Sequence, residues 1–153
     1  MKVTVSHIKS GIPKKYYNFY DKFIKFLQKK YPLKKDIKIF FMGERIGNMT
    51  TGSRTENHIL KVLSVGRLNR DILRTLSHEW VHEHQRQILK REKGKNIGGR
   101  NEDEANASSG TLIKQFEKDN PSDEQKMYND NEKTSRKSRK NSQSNKRDRD
   151  KGK

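Results

Sequence analysis

The sequence predicts an α+β fold for residues 1–117 and a disordered basic tail for residues 118–153. Three features lead there. Apolar residues recur at helical spacing in two long stretches, one early in the chain and one in its middle. Between those stretches, Ile37, Ile39 and Phe41 stand at every second position, the period of a strand. The hydrophobic content is low, 28% of 153 residues, and uneven: from Lys118 onward only Met127 and Tyr128 are hydrophobic. The rest suffices for one core of about a hundred residues, so a second domain is not expected.

The first element is a helix over Pro13–Tyr31, with Tyr16, Tyr17, Tyr20, Phe23, Ile24 and Leu27 on one face. Pro13 suits its first turn and Pro32 its stop. The aromatic stripe from Tyr16 to Phe26 reads as core packing rather than as a platform for nucleobases. A small, mainly antiparallel sheet follows over Asp36–Val65. Its strands are the segment around Ile37–Phe41, then Ile46–Thr51 and His58–Ser64, with Gly43, Gly47, Gly52 and Ser53 as turns. A second helix is expected from Asn69, as cap, to about Lys90, ending near Gly94. A third opens at Gly98-Gly99-Arg100-Asn101, carries Glu102, Asp103 and Glu104 in its first turn, and runs to about Lys118. In the tail, the basic run at 133–140 and the surrounding Asn, Ser and Asp cannot offset the entropy of ordering.

The second helix contains His78-Glu79-Trp80-Val81-His82, an HExxH pattern. Residues four apart on a helix lie one turn apart on one face. Two imidazole nitrogens so placed can share a Zn²⁺ at about 2.0–2.1 Å. Glu79 projects from the same side and can take a proton from water as general base. About one shuffled sequence of this composition in a hundred contains the pattern by accident, so its context decides. Ile72, Leu73, Leu76 and Trp80 occupy the opposite arc, which anchors the helix in the core and leaves the His/Glu face polar. His84 lies roughly 200° around the helix from His82 and points away. His7 and His58 read as ordinary surface or sheet histidines.

A catalytic zinc needs a third protein ligand. No histidine follows His84, so a carboxylate from residues 101–106 is the remaining source. Glu102 is preferred to Asp103 and Glu104. With Glu102 turned to the metal, Ala105, Asn106, Ser109, Leu112, Ile113 and Phe116 share its side and make a sound packing face. Turning Glu104 inward brings Ala107, Ser108, Thr111 and Gln115 with it, a weaker core. Asn106, one turn past Glu102, is placed to hydrogen-bond the outer nitrogen of a ligating histidine, His78. Acids in a first turn also suit the helix dipole, and that reading holds for at least two of the three whatever the function.

His78-Glu79-x-x-His82 followed by Glu102-Asp103-Glu104-Ala105-Asn106 resembles the gluzincin metallopeptidases, which carry HExxH on one helix and ExxAD or ExxAN on the next. The His82-x-x-Gln85 step is similar to small HExxHxxQ zincin-like domains of bacterial and phage genomes. The resemblance covers about residues 58–117. It implies a zincin-like fold and a zinc-dependent peptidase, with His78, His82 and Glu102 as ligands and Glu79 as general base. It also implies an edge strand, here His58–Ser64, that holds a peptide substrate in extended form. Asn106 departs from the aspartate common in the family. The tyrosine or histidine that stabilises the transition state in such enzymes has no counterpart: Tyr128, the only tyrosine after Glu102, falls in the tail.

The absence of cysteine excludes disulfide-stapled modules, Cys-ligated zinc fingers and thiol catalysis. No apolar run long enough to span a bilayer and no signal peptide is visible, so a protein made and used in the cytoplasm, or packaged from there into a virion, is expected. The formal charge of +17 attracts polyanions. Eleven lysines fall within residues 2–38 against only Asp21 and Asp36. Non-specific binding of nucleic acid through these lysines and the tail is therefore a further expectation. The competing reading is a non-enzymatic, basic, nucleic-acid- or virion-associated protein with a structural or vestigial metal site.

Overall fold

A computed structural model describes residues 1–44, 51–55, 57–90 and 99–128. In chain order the elements are β1 (Val3–Ser6), a 3₁₀ turn (Lys14–Tyr16), α1 (Tyr17–Lys30), β2 (Ile37–Met42), β3 (Gly52–Arg54), β4 (Ile59–Leu63), α2 (Asn69–Gln87), α3 (Arg100–Asp119) and a 3₁₀ helix (Pro121–Met127). The fold is α+β, with one four-stranded sheet in the order β1-β2-β4-β3.

The sheet is not mainly antiparallel. β1 pairs with β2 in parallel, Val3 opposite Ile37, and β2 pairs with β4 in parallel, Ile39 opposite Leu60. Among the described residues, only β3 and β4 are antiparallel, Ser53 opposite Lys61. The reason is connectivity. Strands β1 and β2 are joined through α1, and a helical crossover returns the chain in the same direction. β1 is short and only half-buried, so alternation does not reveal it. β3 falls on Gly52-Ser53, a pair with turn chemistry; its strand character comes from the ladder it makes with β4. Residues 46–50 of the expected strand Ile46–Thr51 lie outside the described residues. The expected edge strand, β4, is internal, and β3 forms the edge among the described residues.

Alternation on the two central strands does place the core. Ile37, Ile39 and Phe41 of β2 and Leu60 and Val62 of β4 are buried, and they join Phe19, Tyr20, Phe23, Ile24 and Leu27 of α1. Helix α2 adds Ile72, Leu73, Leu76, Trp80 and Val81, all fully buried, and α3 adds Ala105, Leu112, Ile113 and Phe116. The Trp80 indole donates to the Tyr31 carbonyl at 2.8 Å, so burying this ring leaves no orphan donor.

Two boundaries differ from expectation. The cap of α2 is Leu68, in extended conformation, and Asn69 is the first helical residue. Asn69 is buried and bridges two elements instead: it accepts from the Tyr20 hydroxyl at 2.6 Å and donates to the Lys126 carbonyl at 2.8 Å. The expected division at residue 117 falls inside α3, and the folded chain continues to Tyr128. One buried methionine explains this: Met127 cannot found a core but can add to one. Asp123 secures the same segment, accepting from Lys22 at 2.6 Å and from Lys126 at 2.8 Å. Residues 129–153, including the basic run, lie outside the described residues. Among the described residues, no helix is long and apolar enough to cross a membrane.

His7 is built into an aromatic stack, 3.8 Å from Tyr17 and 5.3 Å from Phe41 between ring centroids. Its Nδ1 is buried with no partner among the described residues. Burial lowers its pKa below the ordinary 6.5, against a smaller opposing pull from Asp21. The unfolded chain therefore takes up this proton first as the pH falls. The stabilisation is intact above pH 6.5 and drains away as the pH drops from 6.5 towards the lower folded value. Thermal melts between pH 8 and pH 5 should show this acid-side loss reduced in His7→Phe, which keeps the stack and removes the titration. An unchanged pH dependence in the variant refutes the assignment.

Candidate metal centre

Helices α2 and α3 make the most extensive contact in the fold, and they run antiparallel along their polar faces. His82 lies beside Glu102, His78 beside Glu102 and Asn106, and Arg74 beside Gly110. Each row descends its helix one turn at a time, so two helical periods bring the polar groups into register. The buried row Ile72, Leu73, Leu76 and Trp80 fixes the rotation of α2 that makes this happen.

At the centre of the seam, three donor atoms converge. Glu102 Oε2 lies 3.0 Å from His78 Nε2, Glu102 Oε1 lies 3.0 Å from His82 Nε2, and the two Nε2 atoms are 3.1 Å apart. Among the described residues, His78, His82 and Glu102 are the group that could hold a metal ion. Burial lowers the pKa of His78, and neighbouring His82 lowers it further; Glu102 and a hydrogen bond with Asn106 oppose the shift. The balance favours the neutral imidazole, the form that ligates.

The proton on His82 can be placed by its surroundings. Buried Gln85 donates through Nε2 to the Glu104 carboxylate at 2.8 Å and to the Asn101 carbonyl at 3.1 Å. Those two acceptors orient the amide, so Gln85 Oε1 faces His82 Nδ1, at 2.9 Å, as an acceptor. The hydrogen of a neutral His82 then resides on Nδ1, and its Nε2 lone pair faces a carboxylate oxygen and another imidazole nitrogen. Three electron-rich atoms aimed at one point call for a cation. Around an ion with bonds of about 2.0–2.1 Å, tetrahedral donors stand roughly 3.3 Å apart. The observed spacing needs only a few tenths of an ångström of opening, so the residues fit a zinc ion.

The site opens into a cleft of about 330 Å³ lined by Thr51, Gly52, Arg74, Thr75, His78, Glu79, Glu102, Asn106 and Ser109. Glu79 faces the edge strand across it. Gly52 permits that approach, because a Cβ there would stand 2.6 Å from Thr75 Cγ2 and 3.0 Å from Glu79 Oε2. The helix and the hairpin are tied together below the cleft. Glu83, fully buried, accepts from Arg54 at 3.2 Å and from Gln87 at 2.6 Å, and it pairs with His58. Burial pushes the Glu83 carboxyl up, but the hydrogen bonds from Gln87 and His58 and the charge of Arg54 together hold it below the usual range.

The structure brings together His78, Glu79, His82, Glu102 and Asn106, all five residues singled out in the sequence. Asp103 is exposed, and Glu104 is engaged with Gln85. His84 turns away to the Pro32 carbonyl, 2.8 Å from its Nδ1. His58 sits at the β3–β4 turn with φ 63° and serves the Glu83 cluster. Tyr128 is exposed at the end of the 3₁₀ helix. Three residues escaped the sequence reading. Arg74 carried a signal, since it lies four residues before His78 on the same face. Gln85 was visible as a spacing and not as a hydrogen bond. The contact of Gly52 with Glu79 had no local signal. No family model, curated protein or solved structure matches this chain.

Gln85→Leu should weaken the affinity of the triad for a divalent metal such as zinc roughly 10–100-fold, because His82 loses the acceptor that selects its tautomer. Competition with a chromophoric chelator, below the melting temperature of the variant, measures this. Unchanged affinity would show that Gln85 is only a packing residue.

Proposed function

We propose that this chain is a zincin-like, zinc-dependent metallopeptidase. The convergence of His78 Nε2, His82 Nε2 and the Glu102 carboxylate within 3.0–3.1 Å, at the wall of a cleft that also holds Glu79, carries the reading. His78, His82 and Glu102 hold the metal. The chemistry zinc supplies when bound is Lewis acidity towards a peptide carbonyl and towards water. Glu79 takes a proton from the attacking water and returns it to the leaving amine. Asn106 steadies His78, while Gln85, itself held by Glu104, steadies His82. The polar walls formed by Thr51, Thr75, Asn106 and Ser109 admit a peptide backbone.

The test is the pair Glu79→Gln and His78→Ala, assayed for zinc content and for cleavage of an unstructured protein such as casein. Glu79→Gln should bind zinc in one equivalent and lose cleavage by at least about 100-fold, the lower end of what a positioned acid–base group contributes. His78→Ala should lose zinc and activity together. Sub-stoichiometric zinc in the parent protein, or full activity in Glu79→Gln, overturns the reading.

The charge supports a second property of the same protein. All eleven lysines between residues 2 and 38 are exposed. Non-specific attraction to nucleic acid or another polyanion follows from such a surface. Binding to a random duplex should weaken steeply between about 50 and 200 mM salt and be indifferent to His78→Ala. Salt-independent binding, or none, removes this property and leaves the peptidase reading untouched.

A further inference from the structure

The polar face of α2 that carries His78 and His82 does not end at His78. One turn earlier, Arg74 lines the same cleft as His78, Glu79 and Glu102. Its neighbours Arg67 and Arg70 are committed: Arg67 to the carbonyls of Leu63 and Asp71 and to Thr75, Arg70 to Glu117. The guanidinium of Arg74 pairs with no carboxylate or carbonyl oxygen among the described residues. Opposite it, α3 presents Gly110, where a Cβ would stand 4.0 Å from Arg74 Nη2. The missing side chain leaves the planar fork of donors accessible from the cleft.

We propose that Arg74 anchors a carboxylate of the substrate one or two residues from the bond to be cut. This rests on the peptidase reading of the site. Among the described lining residues, Arg74 is the permanent cation, and Glu79 and Glu102 are the two carboxylates. A dication held by the triad would balance those two charges and leave the guanidinium, among the described lining residues, as the uncompensated charge that selects an anion. Its fork of N–H groups matches a carboxylate in bidentate fashion, which a lysine could not do. The reach agrees. Four helical residues separate Arg74 from His78 by about 6 Å along α2, and an extended peptide advances roughly 3.3–3.6 Å per residue. The carboxylate is supplied by the end of a peptide chain or by an aspartate or glutamate side chain.

The experiment uses the full chain carrying Glu79→Gln, so that peptides are held and not cut, in metal-free and zinc-loaded forms. The probes are acetyl-tetraalanine with a free C-terminal carboxylate, its C-terminal amide, and the amide with its last alanine replaced by glutamate. Calorimetric titration should show one carboxylate probe binding about tenfold more tightly than the neutral amide, the scale of one charge-assisted hydrogen-bonded pair. Preference for the free terminus identifies a chain end, and preference for the glutamate probe identifies an acidic side chain. Arg74→Gln should bring the probes to parity without changing zinc content. Gly110→Asp, which tethers a carboxylate beside the guanidinium, should do the same with Arg74 in place. Equal binding of the three probes, no binding by any of them, or a preference that survives Arg74→Gln overturns the proposal. Zinc content on the same samples judges the metal centre separately: discrimination by the metal-free protein with no zinc uptake would remove the peptidase reading and keep the anchor.

Discussion

The burial of one arc of α2 is the constraint on which the rest depends. Ile72, Leu73, Leu76 and Trp80 are fully enclosed, and Trp80 is fastened by its indole to the end of α1. Removing a ring of that size from such a site costs about 3–5 kcal/mol, a large share of the stability of a small domain. The helix therefore has one permitted rotation. With the apolar arc inward, Arg74, His78 and His82 must stand in line on the seam with α3. The chemistry of the cleft is a consequence of where the core holds the helix.

Placing ionisable groups along a half-buried seam has a cost, and the surrounding residues offset it in specific ways. Glu83 is a buried carboxylate one position from His82. Isolated, it would be strongly unfavourable, since desolvating a charge outweighs the attraction of a poorly placed partner. Arg54, Gln87 and His58 surround it, and they come from the hairpin and from the next turn of α2. The same cluster ties the edge of the sheet to the helix that carries the cleft. Removing one member strands the others, so these residues belong to the architecture of the site although none of them faces the cleft.

Gln85 shows how a neutral residue can set the state of a charged one. Its amide is oriented by Glu104 and by the Asn101 carbonyl, and that orientation decides which nitrogen of His82 carries hydrogen. Glu104 thus acts on the triad through one intermediary, Gln85. Glu102 and Glu104, both near the start of α3, meet different partners. They lie two residues apart, so they diverge by about 200° around the helix. Glu102 faces the histidines, and Glu104 faces the amide that orients one of them.

Local chemistry was enough to determine the three long helices, the buried arc, the strand period of β2, and the chemical identity of the five residues gathered at the seam. Each depends on spacing along one element, which a sequence carries explicitly. The parallel pairing of the sheet, the edge position of β3 and the incorporation of residues 118–128 were decided only in three dimensions. Strand partners are chosen by crossovers and by which edges remain open, and a single methionine joins a core that other segments have already built. The same holds for Gly52 against Glu79, Gln85 between two acceptors, and Arg74 above Gly110. These contacts join residues 16–36 positions apart, and no periodicity within one element encodes a meeting between two.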